Sequence, residues 1–423
     1  MESPAPGRDL GVLVGQLEVE LDERLGAVDV ALAGHYPGER PGRQPVHTVY
    51  VPAGRFHAAL VADHGAAALA VTEEHEALLL GLVDGDRDLL ARVRDKLARE
   101  PVEDLRIDFE DGYGTRPDDA EDADVRRAAG ELRAAITAGT AAPYTGIRFK
   151  GFEAPTRRRG VRTLVLFLEG LVADGPLPDG FVVTLPKVTA VEHVEALVHT
   201  LQRLEAALGL ADGTLRFEVQ VETPQSILGP DGTALVARMI HASAGRCAGL
   251  HYGTYDYSAY CGVAAAQQSL EHPVADHAKA VMQAAAAGTG VRLSDGSTNV
   301  LPVGDAGQVE AAWANHLRLV RRSLERGYYQ GWDLHPAQLP TRFAATFAFY
   351  RDGFGAAAGR LRTYVGRQES GVLDEPATAR ALADFLLRGL DCGALSAAEV
   401  TDATGLDIDA LAGLAHRAGG EGG

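Results

Sequence analysis

The sequence predicts an α/β fold, a (β/α)8 TIM barrel with a C-terminal helical cap. Three observations point there. Eight short β-like runs alternate with long helical stretches between residues 46 and 340. Beyond about Thr341 the strands stop and only helical segments follow. Charged residues gather just after the β-like runs, where a barrel of this kind carries its active site.

The β-like runs cover residues 46–51, 105–109, 145–149, 181–185, 215–222, 249–253, 299–302 and 329–334. Ala/Leu-rich stretches of helical periodicity, such as 190–210 and 274–287, lie between most of them. Strand–helix alternation argues for a parallel sheet covered by helices, and eight repeats argue for closure. Residues 1–45 are an N-terminal extension. A helix is expected over 10–33, then a Pro/Gly/Arg-rich loop (HYPGERPGRQP), with the helix as a plug for the bottom of the barrel. Residues 46–340 form the barrel. Residues 341–423 form the cap, expected over the barrel mouth, with helices expected over 341–363, 376–389 and 396–418. Gly353, Gly355 and Gly359 are expected to loosen the first of these.

Composition narrows the function. Apolar residues make up 46% of 423, enough for a large core and at odds with a disordered chain. The formal net charge of -18 argues against a nucleic-acid partner, because phosphate contacts need Lys and Arg. Cys247, Cys261 and Cys392 show neither metal-ligand nor disulfide spacing. No apolar run is long enough to span a membrane. MESPAPGRDL lacks the basic-then-apolar order of a secretory signal, so a cytoplasmic location is expected.

The polar residues that end the runs form one set. Run two ends in Glu110 and Asp111 (DFEDGYG), and run three carries Arg148 and Lys150 (GIRFKGFE). Run four ends in Lys187 (LPKV) and run five in Glu222 (VETPQS). Run six leads into Asp256 (GTYDYSAYCG), and run eight into Asp333 and His335 (GWDLHPAQ). A single such carboxylate more often caps a helix or pairs with a surface Arg. The whole set at strand ends points instead to a divalent metal and an anionic substrate. Mg2+ prefers oxygen ligands and takes one or two carboxylates, so Glu222 and Asp256, from adjacent strands, are the candidate pair; Mn2+ can substitute.

In order along the chain, VHTVYVPAGRFHAAL, IDFEDGYG, TGIRFKG, TLPKV, VETPQSI, GTYDYSAYCG, DLHPAQ and GVLDEPATARAL resemble the motifs of the citrate lyase β-subunit and malyl-coenzyme A lyase family. The eight matches span about 330 residues. The resemblance implies a Mg2+-dependent carbon–carbon lyase or aldolase working through a metal-stabilised enolate. It implies that Glu222 and Asp256 ligate the metal and that Arg148 holds the substrate's carboxylate or carbonyl oxygen. Glu110 and Asp111 would orient metal-bound waters or shape the pocket, and Lys187 would fix the site electrostatically. Asp374 would be the acid/base that relatives deliver into a neighbouring subunit's barrel, which makes a homo-oligomer expected.

The chain also departs from the family. Lys150 replaces an asparagine, YDYSAYCG is unusually aromatic, and RPDDAEDAD after run two is longer and more acidic. These changes bear on the substrate. One reading is a β-hydroxyacyl-coenzyme A thioester, malyl- or citramalyl-like. The others are a small 2-oxo acid without coenzyme A, or a catalytically idle metabolite-binding barrel. Arg157, in TRRRGVR, either meets coenzyme A phosphates with Arg158 and Arg159 or starts a solvated basic helix. Tyr255 is the pocket-facing candidate among Tyr252, Tyr255, Tyr257 and Tyr260, because alternation buries some of these rings. His335 is a substrate-binding candidate, although the Pro that follows it favours a structural role.

Overall fold

The structure is a computed structural model, and it describes residues 10–366 and 375–415. After helix α1 (Leu10–His35), strand β1 (His47–Pro52) leads to α2 (Leu60–Glu74), α3 (Glu76–Leu82) and α4 (Arg87–Arg99). Three simple repeats follow: β2 (Asp104–Asp108) with α5 (Asp118–Ala138), β3 (Tyr144–Arg148) with α6 (Arg157–Val172), and β4 (Phe181–Leu185) with α7 (Val191–Leu208). Then come β5 (Arg216–Val221) with α8 (Pro224–Ile227) and α9 (Leu235–Ala242), and β6 (Cys247–Tyr252) with α10 (Thr254–Tyr260) and α11 (Pro273–Ala286). The last repeats are β7 (Arg292–Ser294) with α12 (Ala306–Glu325) and β8 (Gly331–Asp333) with α13 (Leu339–Val365). Helices α14 (Pro376–Asp391), α15 (Ala397–Thr404) and α16 (Ile408–Ala415) complete the described chain.

All strands are parallel, in the order β7-β6-β5-β4-β3-β2-β1-β8. Ser294 bridges Gln330, and Asp295 N–H donates to the Gln330 carbonyl, so β7 meets β8 and the barrel closes. The chain is therefore a (β/α)8 barrel. Alternation along each strand divides two environments. Ile107, Ile147, Val183, Val219 and Leu250 are fully buried among the helices. Towards the lower interior, Arg106 pairs with Asp104 and with Glu218 (2.6 Å to Oε1), and Thr48 donates to Asp104 (2.8 Å). Gly146 leaves room for this layer, since a Cβ there would collide with the Val182 carbonyl and crowd Arg106.

The seventh strand lies at Arg292–Ser294, not at 299–302. Val300 is half exposed and Pro302 has no N–H to give a sheet, so that apolar run is a loop at the mouth. Helix α13 runs unbroken through its three glycines. Gly353 is needed there, because a Cβ would meet the Phe385 ring at 2.6 Å. The expected helix over 396–418 is two helices, parted at Gly405 with its left-handed φ of 76°.

The C-terminal helices do not cover this chain's own mouth. Arg388 of α14 donates to Gln44 (2.8 Å) and lies over the Tyr329 ring, beside the N-terminal ends of β1 and β8. The cap has its own small core around Leu361, Leu386 and Leu411, and it packs at the barrel's foot. The N-terminal helix is likewise no plug, because none of its residues is buried. The loop after it closes the foot instead: Gly38 N–H donates to the Gly288 carbonyl, and Gln44 donates to the Leu293 carbonyl. No helix among the described residues is long and apolar enough to cross a membrane.

Candidate metal centre

Glu222 follows β5 and is fully buried. Its Oε1 accepts from the Lys187 backbone N–H (2.6 Å) and its Oε2 from Gln220 Nε2 (2.6 Å). Burial pushes its carboxyl well above the ordinary range, against the pull of Lys187. Gly253, between β6 and α10, makes this approach possible; a Cβ there would stand 2.5 Å from the Glu222 Cβ. Asp256 projects from the first turn of α10.

Lys187 sits among these carboxylates. Its Nζ lies 2.5 Å from Asp256, 3.0 Å from Asp111, 3.4 Å from Glu222 and 3.8 Å from Glu110. Burial would lower its pKa, but the surrounding carboxylates, Glu222 first, raise it overall. Its backbone is left-handed, φ 54°, which a non-glycine residue holds only where contacts fix it. Here the N–H bond to Glu222 and the ammonium's four neighbours do so. Glu110 is pushed up to about 7, because burial outweighs the attraction of Arg148 and Lys187.

Arg148 is buried at the end of β3, and its guanidinium is already committed along one edge. Nε and Nη2 donate to the two oxygens of Asp108 at 2.7 and 2.8 Å. Nη1 reaches Gln220 Oε1 (3.2 Å) and lies 3.3 Å from Glu110. With that edge held by Asp108, Nη1 is the guanidinium nitrogen that faces the site. Below it, the Tyr50 ring lies 4.9 Å from the guanidinium carbon.

Oxygens of Asp111, Glu222 and Asp256 all lie within 4.8 Å of one another. Three oxygens at ~2.1 Å from one Mg2+ would stand ~3–4 Å apart, so a small closure suits the ion. Charge points the same way. Arg148 is paired with Asp108 and reaches only Glu110 of this group, so Glu110, Asp111, Glu222 and Asp256 gather around the single ammonium of Lys187. The donor set is hard oxygen with an excess of negative charge, and it fits a divalent ion. Asp111 joins the two expected ligands as a third candidate.

The other expected residues fall elsewhere. His335 caps the turn after β8, its Nδ1 accepting from Ala337 N–H (3.2 Å), and burial lowers its pKa. Tyr255 is half-buried, and its hydroxyl accepts from Asn299 N–H (2.6 Å), tying α10 to the loop after β7. Tyr252 and Tyr257 are buried, whereas Tyr260 is exposed. Arg157 and Arg158 are exposed at the start of α6. Arg159 is not free, because it pairs with Asp122 (2.7 Å) and Glu121 (3.3 Å). Lys150 likewise pairs with Glu121 (2.7 Å). The acidic loop after β2 and the basic run after β3 are one compensating network. Asp333 is no mouth residue; it points outward to Arg342, His47 and His316. Asp374 lies outside the described residues.

Sequence reasoning missed Asp108, Gln220, Tyr50 and Gly253. Period-two polarity carried a signal for two of them: Arg106–Asp108 and Glu218–Gln220–Glu222 alternate inward along β2 and β5. A cavity of about 320 Å³ lined by Arg40, Arg106, Glu218 and Arg292 lies at the foot, apart from this cluster.

A family model described as "Domain of unknown function (DUF6986)" matches residues 25–419. No curated protein matches the sequence. Among solved structures, a citrate lyase from Burkholderia xenovorans LB400 superposes with a TM-score of 0.57 at 18% identity, covering 89% of this chain and 97% of that one. A Haloferax volcanii malate synthase gives 0.49 at 13% identity, covering 84% and 88%. The CitE protein of Mycobacterium tuberculosis, in complex with magnesium, acetoacetate and coenzyme A, gives 0.47 at 16% identity, covering 83% and 99%. At these identities the likeness is one of fold.

Proposed function

We propose that this chain, which belongs to the DUF6986 family, is a Mg2+-dependent carbon–carbon lyase acting on a β-hydroxyacyl-coenzyme A thioester. The observation that carries the proposal is the meeting of Asp111, Glu222 and Asp256 at the strands' C-terminal ends, within reach of Arg148. The likeness of fold to a citrate lyase is consistent with it.

Asp111, Glu222 and Asp256 would hold the ion. When bound, Mg2+ supplies Lewis acidity at the carbonyl oxygen beside the breaking bond, where enolate charge develops. Arg148 Nη1 binds a substrate carboxylate or carbonyl oxygen, and Asp108 fixes the plane of its guanidinium. Lys187 screens the carboxylates from one another and positions Glu222 through its backbone N–H. Glu110, with a carboxyl near neutrality, orients water or substrate beside Arg148.

Asp374 is the proposed acid/base. The resemblance to the coenzyme A lyases supports a neighbouring subunit's barrel as the site that Asp374 serves, which makes a homo-oligomer part of the proposal. Asp374→Asn is expected to slow turnover by ~100-fold or more while leaving Mn2+ affinity unchanged. Normal turnover would remove Asp374 from the mechanism.

Arg148→Lys should raise KM by ~10-fold or more, because a point charge cannot hold Asp108 and substrate in one plane. Unchanged steady-state kinetics would refute that role.

One observation favours a second reading, a 2-oxo acid aldolase without coenzyme A: Arg159 is neutralised by Asp122 and Glu121. Arg157 and Arg158 remain for phosphate. A Mn2+ titration of metal-stripped protein, with and without oxalate as an enolate mimic, tests the core of the proposal. One site tightened by oxalate is expected, and no binding would leave only a metabolite-binding barrel. Coenzyme A affinity, measured on the same protein, separates the two substrates.

A further inference from the structure

Helix α1 is 26 residues long, about 39 Å, yet none of its residues is buried. It meets the barrel at its C-terminal end, where the His35 ring lies 4.7 Å from that of His241. Helices without tertiary packing are marginal in water, and solvated ones are usually polar all round. This one instead carries Leu10, Val14, Leu17, Leu21, Leu25, Val28 and Leu32, each between 46% and 62% exposed. Their spacing is 4-3-4-4-3-4. That averages about 3.67 residues per turn, the 11-residue period that keeps a stripe on one face of a nearly straight helix. Val12, Leu13, Val19 and Val30 are also exposed, off this stripe, so the apolar surface is not confined to one face; the stripe is the row that runs unbroken along the helix, and a continuous exposed stripe marks an interaction surface.

The stripe reads the same in both directions about Leu21. Leu10 answers Leu32, Val14 answers Val28, and Leu17 answers Leu25, in residue type as well as in position. A twofold interface requires this kind of self-complementarity, residue i meeting j and j meeting i. From this palindrome we infer that α1 is a dimerisation element, pairing antiparallel with α1 of a second copy about a twofold axis at Leu21. Charge agrees with that arrangement. Arg24 and Glu20 flank the stripe on the same side, three residues after and one before Leu21. Antiparallel pairing therefore sets each Arg24 beside the other copy's Glu20. It also places the two barrels at opposite ends of the rod, where a parallel pair would crowd them together. Glu18, Glu20, Asp22, Glu23 and Asp29 against Arg24 leave the helix acidic, which opposes docking on an anionic membrane. The inference does not depend on the metal site, and the cross-link below reports on the α1 pair itself whatever other contacts join the copies.

Sedimentation velocity on the full chain provides that test. The wild type should have twice the mass of Leu21→Asp, whose dissociation constant should rise ~100-fold or more through burial of a carboxylate at the axis. Leu21→Met should keep the wild-type mass. Equal melting temperatures for the three would show that the barrel is intact. In a Cys261→Ser background, Val14→Cys mixed with Val28→Cys should form a disulfide under mild oxidation, and neither should do so alone. Equal masses for wild type and Leu21→Asp, with no cross-link between Val14→Cys and Val28→Cys, would overturn the inference. Cross-linking of Val14→Cys with itself would mean a parallel pair and would also overturn it. Equal masses with flotation of the wild type alone on phosphatidylcholine vesicles would assign the stripe to a lipid surface instead.

Discussion

Glu222→Gln is expected to abolish the metal-dependent reaction and to lower Mn2+ affinity by ~100-fold or more. Among the three candidate ligands only Glu222 is fully buried, and its two oxygens are oriented by Lys187 N–H and Gln220 Nε2. A carboxylate held in so dry a place is unfavourable unless a cation offsets it. Glutamine keeps the volume and one oxygen but removes the charge. Turnover should fall at least ~10³-fold, the scale of losing preorganised electrostatic stabilisation at the reacting oxygen. Thermal unfolding should remain cooperative, because neither Lys187 nor Gln220 loses its place in the barrel wall. Wild-type Mn2+ affinity in the variant would dismantle the proposed centre. Wild-type turnover with weakened Mn2+ binding would separate metal from chemistry and leave the lyase reading without its mechanism.

Asp333→Ala carries the largest expected effect on stability, a loss of ~3–5 kcal/mol. Asp333 is fully buried between β8 and α13. Arg342 Nη2 lies at 3.0 Å, His47 Nδ1 at 2.8 Å and His316 Nε2 at 3.1 Å. His47 Nε2 accepts from Glu103 N–H (3.0 Å), so Nδ1 carries the proton that Asp333 receives. Burial alone would raise this carboxyl, but Arg342 and the two imidazoles hold it well below the usual range. Removing it strands the buried Arg342 guanidinium. A depressed carboxylate stabilises the fold above its unfolded pKa of about 3.9 and loses that contribution as pH falls through the folded value. The gap between wild type and variant should therefore be constant near neutrality and close only in strong acid. Urea denaturation at pH 7 measures it. A loss below about 1 kcal/mol would show that the network is not a structural clamp.

The compensating loops show how far a single sequence can be read. Lys150 and RPDDAEDAD first count as two separate departures that put the substrate in question. In space they are one device: Lys150 and Arg159 close on Glu121 and Asp122, joining β3 and α6 to α5. Linear order separates these residues by about 30 to 40 positions. No local pattern states that they meet. Arg148 teaches the same lesson, because its strand position is visible in GIRFKG, whereas the partner that occupies half of its guanidinium sits on the neighbouring strand.

By itself the sequence determined the barrel, seven of its eight strands, and the strand-end residues Glu110, Arg148, Lys187, Glu222 and Asp256. It did so because period-two and helical patterning, and the placing of charge after a strand, are local consequences of backbone geometry. Only the tertiary structure decided that the seventh strand is Arg292–Ser294, where three residues are too few for periodicity to register. It also decided that Asp111 joins the candidate ligands, that Asp333 turns outward, and that the C-terminal helices pack at the foot. Those outcomes depend on which way a side chain or helix faces once the sheet has closed. Closure is a long-range event, fixed by contacts between residues that the sequence keeps far apart.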